Sequence, residues 1–182
     1  MTQPIPLVDD EEPRGRRVVV GVDGSPGARA ALLFALHDAV RRDLPVEGVA
    51  AYQPLDPWMD LYVLGRDAPD QARTAAIERA RTFVAGVLAS GPQPPPAVSL
   101  RVVPGSAADA LVRASHEAEL LVVGSRGHGG FSSMLLGSVS MQCVLHAVCP
   151  VTVVHSPESH RERLHLRRSR HVSVGPPSLP VL

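Results

Sequence analysis

One stretch of this sequence concentrates residues suited to holding an anion. Positions 123–140 read VGSRGHGGFSSMLLGSVS, with glycines at 124, 127, 129, 130 and 137 and hydroxyls at Ser138 and Ser140. Glycines let successive backbone N–H groups turn inward into a nest for a negative charge. Gly137-Ser138 opens a helical pattern, and a helix start offers unbonded N–H groups and the positive end of the dipole. The combination is a phosphate cradle in principle. The same glycines also suit an ordinary surface loop, and a glycine motif taken alone is weak. A second polar cluster, VDGSPG at 22–27, places a carboxylate, Asp23, directly after an apolar run. Asp23 is suited either to accept a hydrogen bond from a ligand or to cap the following helix.

Alternating strand and helix patterns must position these clusters. Residues 17–22 (RVVVGV) are β-branched and read as a buried strand. Ser25-Pro26 gives a helix cap with Pro at the first helical position, ahead of an Ala/Leu-rich helix over 28–40. A second strand is predicted at 46–52, then a long loop over 53–69 containing Trp58 and Tyr62. Helical spacing of Ala72, Ala76, Ile77, Ala80, Val84, Val87 and Leu88 predicts a helix over 70–90, broken by Gly and Pro at 91–96. Third, fourth and fifth strands follow at 98–103, 120–123 and 150–155, with helices over 106–118 and 138–146. Near-continuous apolar strands joined by helical crossovers predict a doubly wound α/β fold. The expected sheet is five-stranded and parallel, in the order 3-2-1-4-5, with helices on both faces. Ligands of such folds bind outside the carboxyl ends of the strands, where the order reverses. The first and fourth strands flank that point, and both polar clusters follow them.

Composition excludes several alternatives. The chain has 182 residues, a length suited to one domain, and 45% apolar residues, enough for a core. Aromatics are 3%, too few for a base-stacking surface. All 18 basic residues are Arg, balancing 18 acids. Without Lys there is no Walker A loop and no lysine Schiff base. No G-x-G-x-x-G follows the first strand. Cys143 and Cys149 are read as buried structural thiols rather than a redox pair. The histidines form no metal-binding spacing, and His128 reads as an exposed loop residue. Residues 1–15 read as a disordered acidic leader and 157–182 as a disordered Arg/His/Pro-rich tail. That tail is either a solvated extension or a loose contact for nucleic acid, membrane or an acidic partner. No signal-peptide order and no membrane-length apolar run is visible, so a cytoplasmic protein is expected. Arg, Ala and Pro usage points to a GC-rich bacterial genome.

The spacing Gly124-x2-Gly127-x9-Gly137-Ser138 resembles the ATP-binding signature of the universal stress protein family. The likeness extends through VVVGVDGSPGARAAL at 18–32, VVPGSAADALVRAS at 102–115, AELLVVGSRGHGGFSSMLLGSVS at 118–140 and CPVTVVH at 149–155. It covers 16–156 and leaves both termini outside. The resemblance implies an ATP site. Asp23 would lie at the adenosine end, with Gly21, Val22 and Ala51 lining the adenine. Val123 would end the fourth strand there. Gly124, Arg126 and Gly127 match the start of the phosphate loop, and Gly137, Ser138 and Val139 its end, with Ser140 beside them. Arg126 is equally suited to pairing with phosphate or to solvent. The resemblance also implies a homodimer through the edge strand at 150–155.

Three functions follow from these residues. The leading one is an ATP-binding stress-response protein whose nucleotide occupancy regulates partners. Mg²⁺ would be held mainly by the phosphates, and any ATP hydrolysis would be slow, since no catalytic base or cation cluster is evident. The second is a nucleotide-independent homodimeric interaction protein of the same fold, a type that departs from the glycine spacing kept here. The third is a nucleotide-transferring enzyme. It lacks support, because VDGSPG stands where such a loop would need a different pattern. Neither a membrane nor a specific nucleic-acid partner is expected.

Overall fold

A computed structural model describes residues 5–8, 15–54, 68–127 and 136–157. The expected features at 58–62, at His128 and in the 158–182 tail lie outside the described residues, as does most of the acidic leader. Five strands form one parallel sheet: β1 (Val18–Gly21), β2 (Val46–Tyr52), β3 (Val98–Pro104), β4 (Leu120–Gly124) and β5 (Val151–Val154). Their order is β3-β2-β1-β4-β5, as the alternation predicts. Among the described residues four α-helices connect them: α1 (Pro26–Arg42), α2 (Ala68–Leu88), α3 (Ala107–Ala114) and α4 (Ser138–His146). The helix expected to run to 118 stops at Ala114 and tightens into a 3-10 turn, Ser115–Glu117. The Ser115 hydroxyl donates to the Val112 carbonyl there, a local bond that competes with continued α-helix.

Strand parity divides the core into two layers. Val18, Val20, Val46, Ala50, Leu100 and Val122 face α1 and α2, packing on Leu32, Leu36, Val84 and Val87. Val19, Val49, Val103, Leu121 and Val123 face α3 and α4, packing on Leu111, Ala114 and Cys143. Both faces being covered explains why the strands read as continuous apolar runs rather than alternating ones.

Two features depart from the sequence expectation. Residues 5–8, placed in the disordered leader, instead pair with the outer edge of β3. Leu7 bridges Leu100, with Val8 N–H donating to the Leu100 carbonyl at 3.0 Å and Leu100 N–H to the Pro6 carbonyl at 2.9 Å. An open edge strand offers unpaired backbone groups, and these four residues occupy those of Leu100. The second is a buried charge cluster at the amino end of the sheet. Glu47 on β2 is fully buried, and both its oxygens accept from guanidiniums: Arg17 on one, and Arg101 Nε at 2.6 Å on the other. Arg17 also donates to the Ala114 carbonyl at 3.3 Å and the Glu117 carbonyl at 3.2 Å, tying the end of α3 to the sheet.

Candidate functional site

At the opposite, carboxyl end of the sheet, the chain leaves β1 and β4 side by side. Their pairing, Val18 with Leu120 through Val20 with Val122, brings the two polar clusters together. After β1 the backbone turns sharply: the Asp23 carboxylate accepts from Ser25 N–H at 2.8 Å. The Ser25 hydroxyl in turn accepts from Ala28 N–H at 3.1 Å and caps α1. Asp23 therefore shapes the turn and edges the site, while the cap of α1 is Ser25 rather than Asp23.

After β4 the glycine loop folds against the start of α1. A Cβ on Gly124 would stand 2.5 Å from the Gly27 carbonyl carbon, and one on Gly27 would collide with the Arg126 carbonyl. Side chains are excluded at this crossing because two backbones touch. Gly127 has a different constraint: its Cβ would stand 2.5 Å from Asp23 Oδ2. The missing side chain is what lets the Asp23 carboxylate sit beside the loop. The return of the loop is braced by two bonds. Gly137 N–H donates to the Ser125 carbonyl at 2.8 Å, and the buried Ser140 hydroxyl donates to the Gly124 carbonyl at 2.6 Å. Gly137 is the N-cap of α4 and makes no side-chain cap bond, whereas serines cap α1 and α3. Among the described residues, no side-chain cap bond is made to the first amides of α4.

These segments enclose a cavity of about 220 Å³. Gly21, Val22, Asp23, Val123, Gly124, Arg126 and Gly127 line it from the strand ends and loop, and Gly137, Ser138, Val139 and Ser140 from the start of α4. Ala51, the twelfth residue singled out in the sequence, lies instead on an adjoining cavity that shares Val22 and Asp23. On β2 it is Val49, paired with Gly21, that reaches the first cavity. Ser25 and Ala28 of α1, with Ala107 and Leu111 of α3, also line it and were not anticipated. The cap motif Ser25-Pro26 marked where α1 begins. The position of Leu111 follows only from how α3 packs, its side chain lying over Gly21. Val22, Val49, Leu111 and Val123 give the cavity apolar lining, while Asp23, Arg126, Ser138 and the glycines 124, 127 and 137 give its polar and backbone lining. Among the described residues, Asp23 and Arg126 are the two charged groups on the cavity.

Residues 15–155 match the family model described as the universal stress protein family. This chain belongs to that family. A universal stress protein of Mycobacterium tuberculosis (strain H37Rv) is 34% identical over 146 residues, covering 78% of this chain and 48% of the relative. The chain thus spans about half the length of the curated relatives it matches. Among solved structures, a universal stress family protein of Burkholderia pseudomallei is 26% identical with a TM-score of 0.52, covering 75% of this chain and 93% of its own. The universal stress protein UspA of Lactobacillus plantarum shares the fold at 23% identity, TM-score 0.57, covering 79% and 99%.

The two cysteines of this universal stress domain stand outside the cavity. Both thiols are free, Cys143 buried in the α3/α4 core layer and Cys149 packed at its margin. Burial pushes the Cys143 thiol up to about 11 and raises that of Cys149. Neither favours the thiolate, the reactive form, near neutral pH. At pH 8 the folded protein should therefore resist iodoacetamide at Cys143 and take it up once unfolded in urea. Rapid labelling of Cys143 in the folded state, read by mass spectrometry, would contradict this burial. No helix among the described residues is long and apolar enough to cross a membrane.

Proposed function

We propose that this chain binds ATP in the cavity between β1, β4 and the start of α4, and that occupancy regulates partner proteins in a stress response. One observation carries the reading: the glycine loop and the start of α4 converge on a single cavity that also has apolar lining. The adenine ring would rest on Val22, Val49 and Val123, with the Asp23 carboxylate within reach of the ribose. The phosphates would lie across the Gly124–Gly127 turn and onto the amides of α4 beside Gly137 and Ser138. Amides fixed before binding cost little reorganisation and favour negative charge. Arg126 would add a guanidinium to that lining. Among the described residues Asp23 is the one carboxylate on the cavity. Mg²⁺ would therefore be held mainly by the phosphates, where it offsets their charge. With so few groups to position a nucleophile, any hydrolysis is slow and binding is the function.

The same reading includes a cytoplasmic homodimer. Among the described residues β5 pairs only with β4, and all four of its residues are half-buried. Met141, Val144 and Leu145 on α4 and Val148 just beyond its end form an exposed apolar stripe, Leu145 being 62% exposed. A second copy pairing along 150–155 would cover both the edge and the stripe. Leu145→Glu should accordingly shift the protein to monomer in sedimentation equilibrium. A wild-type monomer at micromolar concentration would remove the dimer from this reading.

Titration of the purified protein with ATP by calorimetry tests the site directly, together with mass analysis of nucleotide carried through purification. Binding is the expected result. Silence at millimolar ATP would overturn the site and leave a nucleotide-independent dimer, its partners sought on the protein surface.

A further inference from the structure

We propose that Ser140 is a positioning residue that fixes the start of α4 on the end of β4, rather than a donor to the ligand. This rests on the nucleotide site proposed above. Ser140 is only 4% exposed, and its hydroxyl donates to the Gly124 carbonyl at 2.6 Å. A serine hydroxyl has one proton. With that proton committed to Gly124, none remains for a phosphate oxygen. Ser138, two residues earlier, is exposed on the same cavity and keeps the freedom to donate.

Among the described residues, the packing of Cys143 holds the body of α4, and hydrogen bonds set how its first turn stands against the Gly124–Gly127 loop. The N-cap of α4 is Gly137, which has no side chain to anchor the helix start. Gly137 N–H reaches the Ser125 carbonyl at 2.8 Å, and Met141 N–H closes the first turn on the Gly137 carbonyl at 2.9 Å. That second bond lies within the helix, so Ser140 supplies the second tie across the cradle, from the third residue of the helix to the last residue of β4. Its loss frees the first turn to tilt away from the Gly124–Gly127 loop. The amides of α4 would then be presented at varying distances, and phosphate binding loses its preorganisation.

The test compares Ser140→Ala, Ser140→Thr and Ser138→Ala in two measurements. The first is amide hydrogen exchange at Gly137 and Met141 in ATP-free protein; the second is calorimetric affinity for ATP and for adenosine. Ser140→Ala should speed exchange at both amides by about tenfold, as loss of one hydrogen bond implies. It should weaken ATP by a similar factor while leaving adenosine unchanged. Ser140→Thr, which keeps the hydroxyl, should restore both, and Ser138→Ala should leave exchange unchanged. A fall in ATP affinity with exchange unaltered in Ser140→Ala would make the hydroxyl a direct phosphate donor and overturn the proposal. So would a Thr variant that behaves like Ala. A wild-type protein that ignores ATP sinks the nucleotide reading, while the exchange comparison still decides the tie.

Discussion

Replacing Glu47 by Gln should lower the stability of this domain by about 3–5 kcal/mol, the usual cost of removing one partner from a buried ion pair. The carboxylate is fully buried between Arg17 and Arg101, whose side chains are themselves 6% and 8% exposed. Gln keeps the shape but removes the one charge that both guanidiniums share, and the Glu117 carboxylate, 52% exposed and 3.7 Å from Arg17, only partly replaces it. Against a typical total of about 5–15 kcal/mol, such a loss is large. It should appear as a lower urea midpoint with an unchanged slope, since the surface exposed on unfolding stays the same. Replacing all three members by apolar residues of similar volume should recover much of the loss, because the desolvation cost of the charges disappears with them. The exposed pair Arg16–Glu119, at 2.6 Å, serves as the control, and its removal should leave the midpoint unchanged. If Glu47→Gln unfolds at the wild-type urea concentration, the cluster contributes nothing to stability.

The second large effect falls on ligand binding. Gly127→Ala should weaken ATP at least about tenfold, because misplacing cavity groups by about an ångström costs that much or more. The added Cβ would stand 2.5 Å from Asp23 Oδ2, so either the carboxylate or the loop must move. Gly127 is exposed, and its backbone is not in the left-handed region, so the melting temperature should stay near wild type. The effect should depend on Asp23: in an Asp23→Ala background, the same Ala at 127 meets no oxygen and should cost little more. That coupling separates a steric push on Asp23 from a general loss of loop flexibility. Gly124→Ala makes a useful contrast. There the neighbour is the backbone of Gly27 at 2.5 Å, which cannot swing aside, so both stability and binding should fall. Wild-type ATP affinity in a folded Gly127→Ala protein would remove the nucleotide from this cavity.

Local chemistry made much of this protein legible before any coordinates. The strand order followed from apolar runs alternating with helical patterns, because a parallel sheet needs crossovers that cover both faces. Ser25 and Ser106 marked two helix starts, and each hydroxyl does accept from its helix, at 3.1 Å and 3.3 Å. Gly124, Gly127 and Gly137 stood out because their spacing between a strand and a helix resembles the family signature, although the glycines alone suit a surface loop equally well. Tertiary structure alone decided the rest. It placed Val49 rather than Ala51 on the first cavity, a matter of where β2 ends against its neighbours and not of residue type. It brought Leu111 under the site through the packing of α3. It joined Arg17, Glu47 and Arg101, which lie 30 and 54 residues apart along the chain and carry no local signal of pairing. It also turned residues 5–8 from apparent leader into cover for the edge of β3. Each of these depends on contacts between segments distant in sequence. A period or a motif reports only what a residue's near neighbours require, and so could not reveal them.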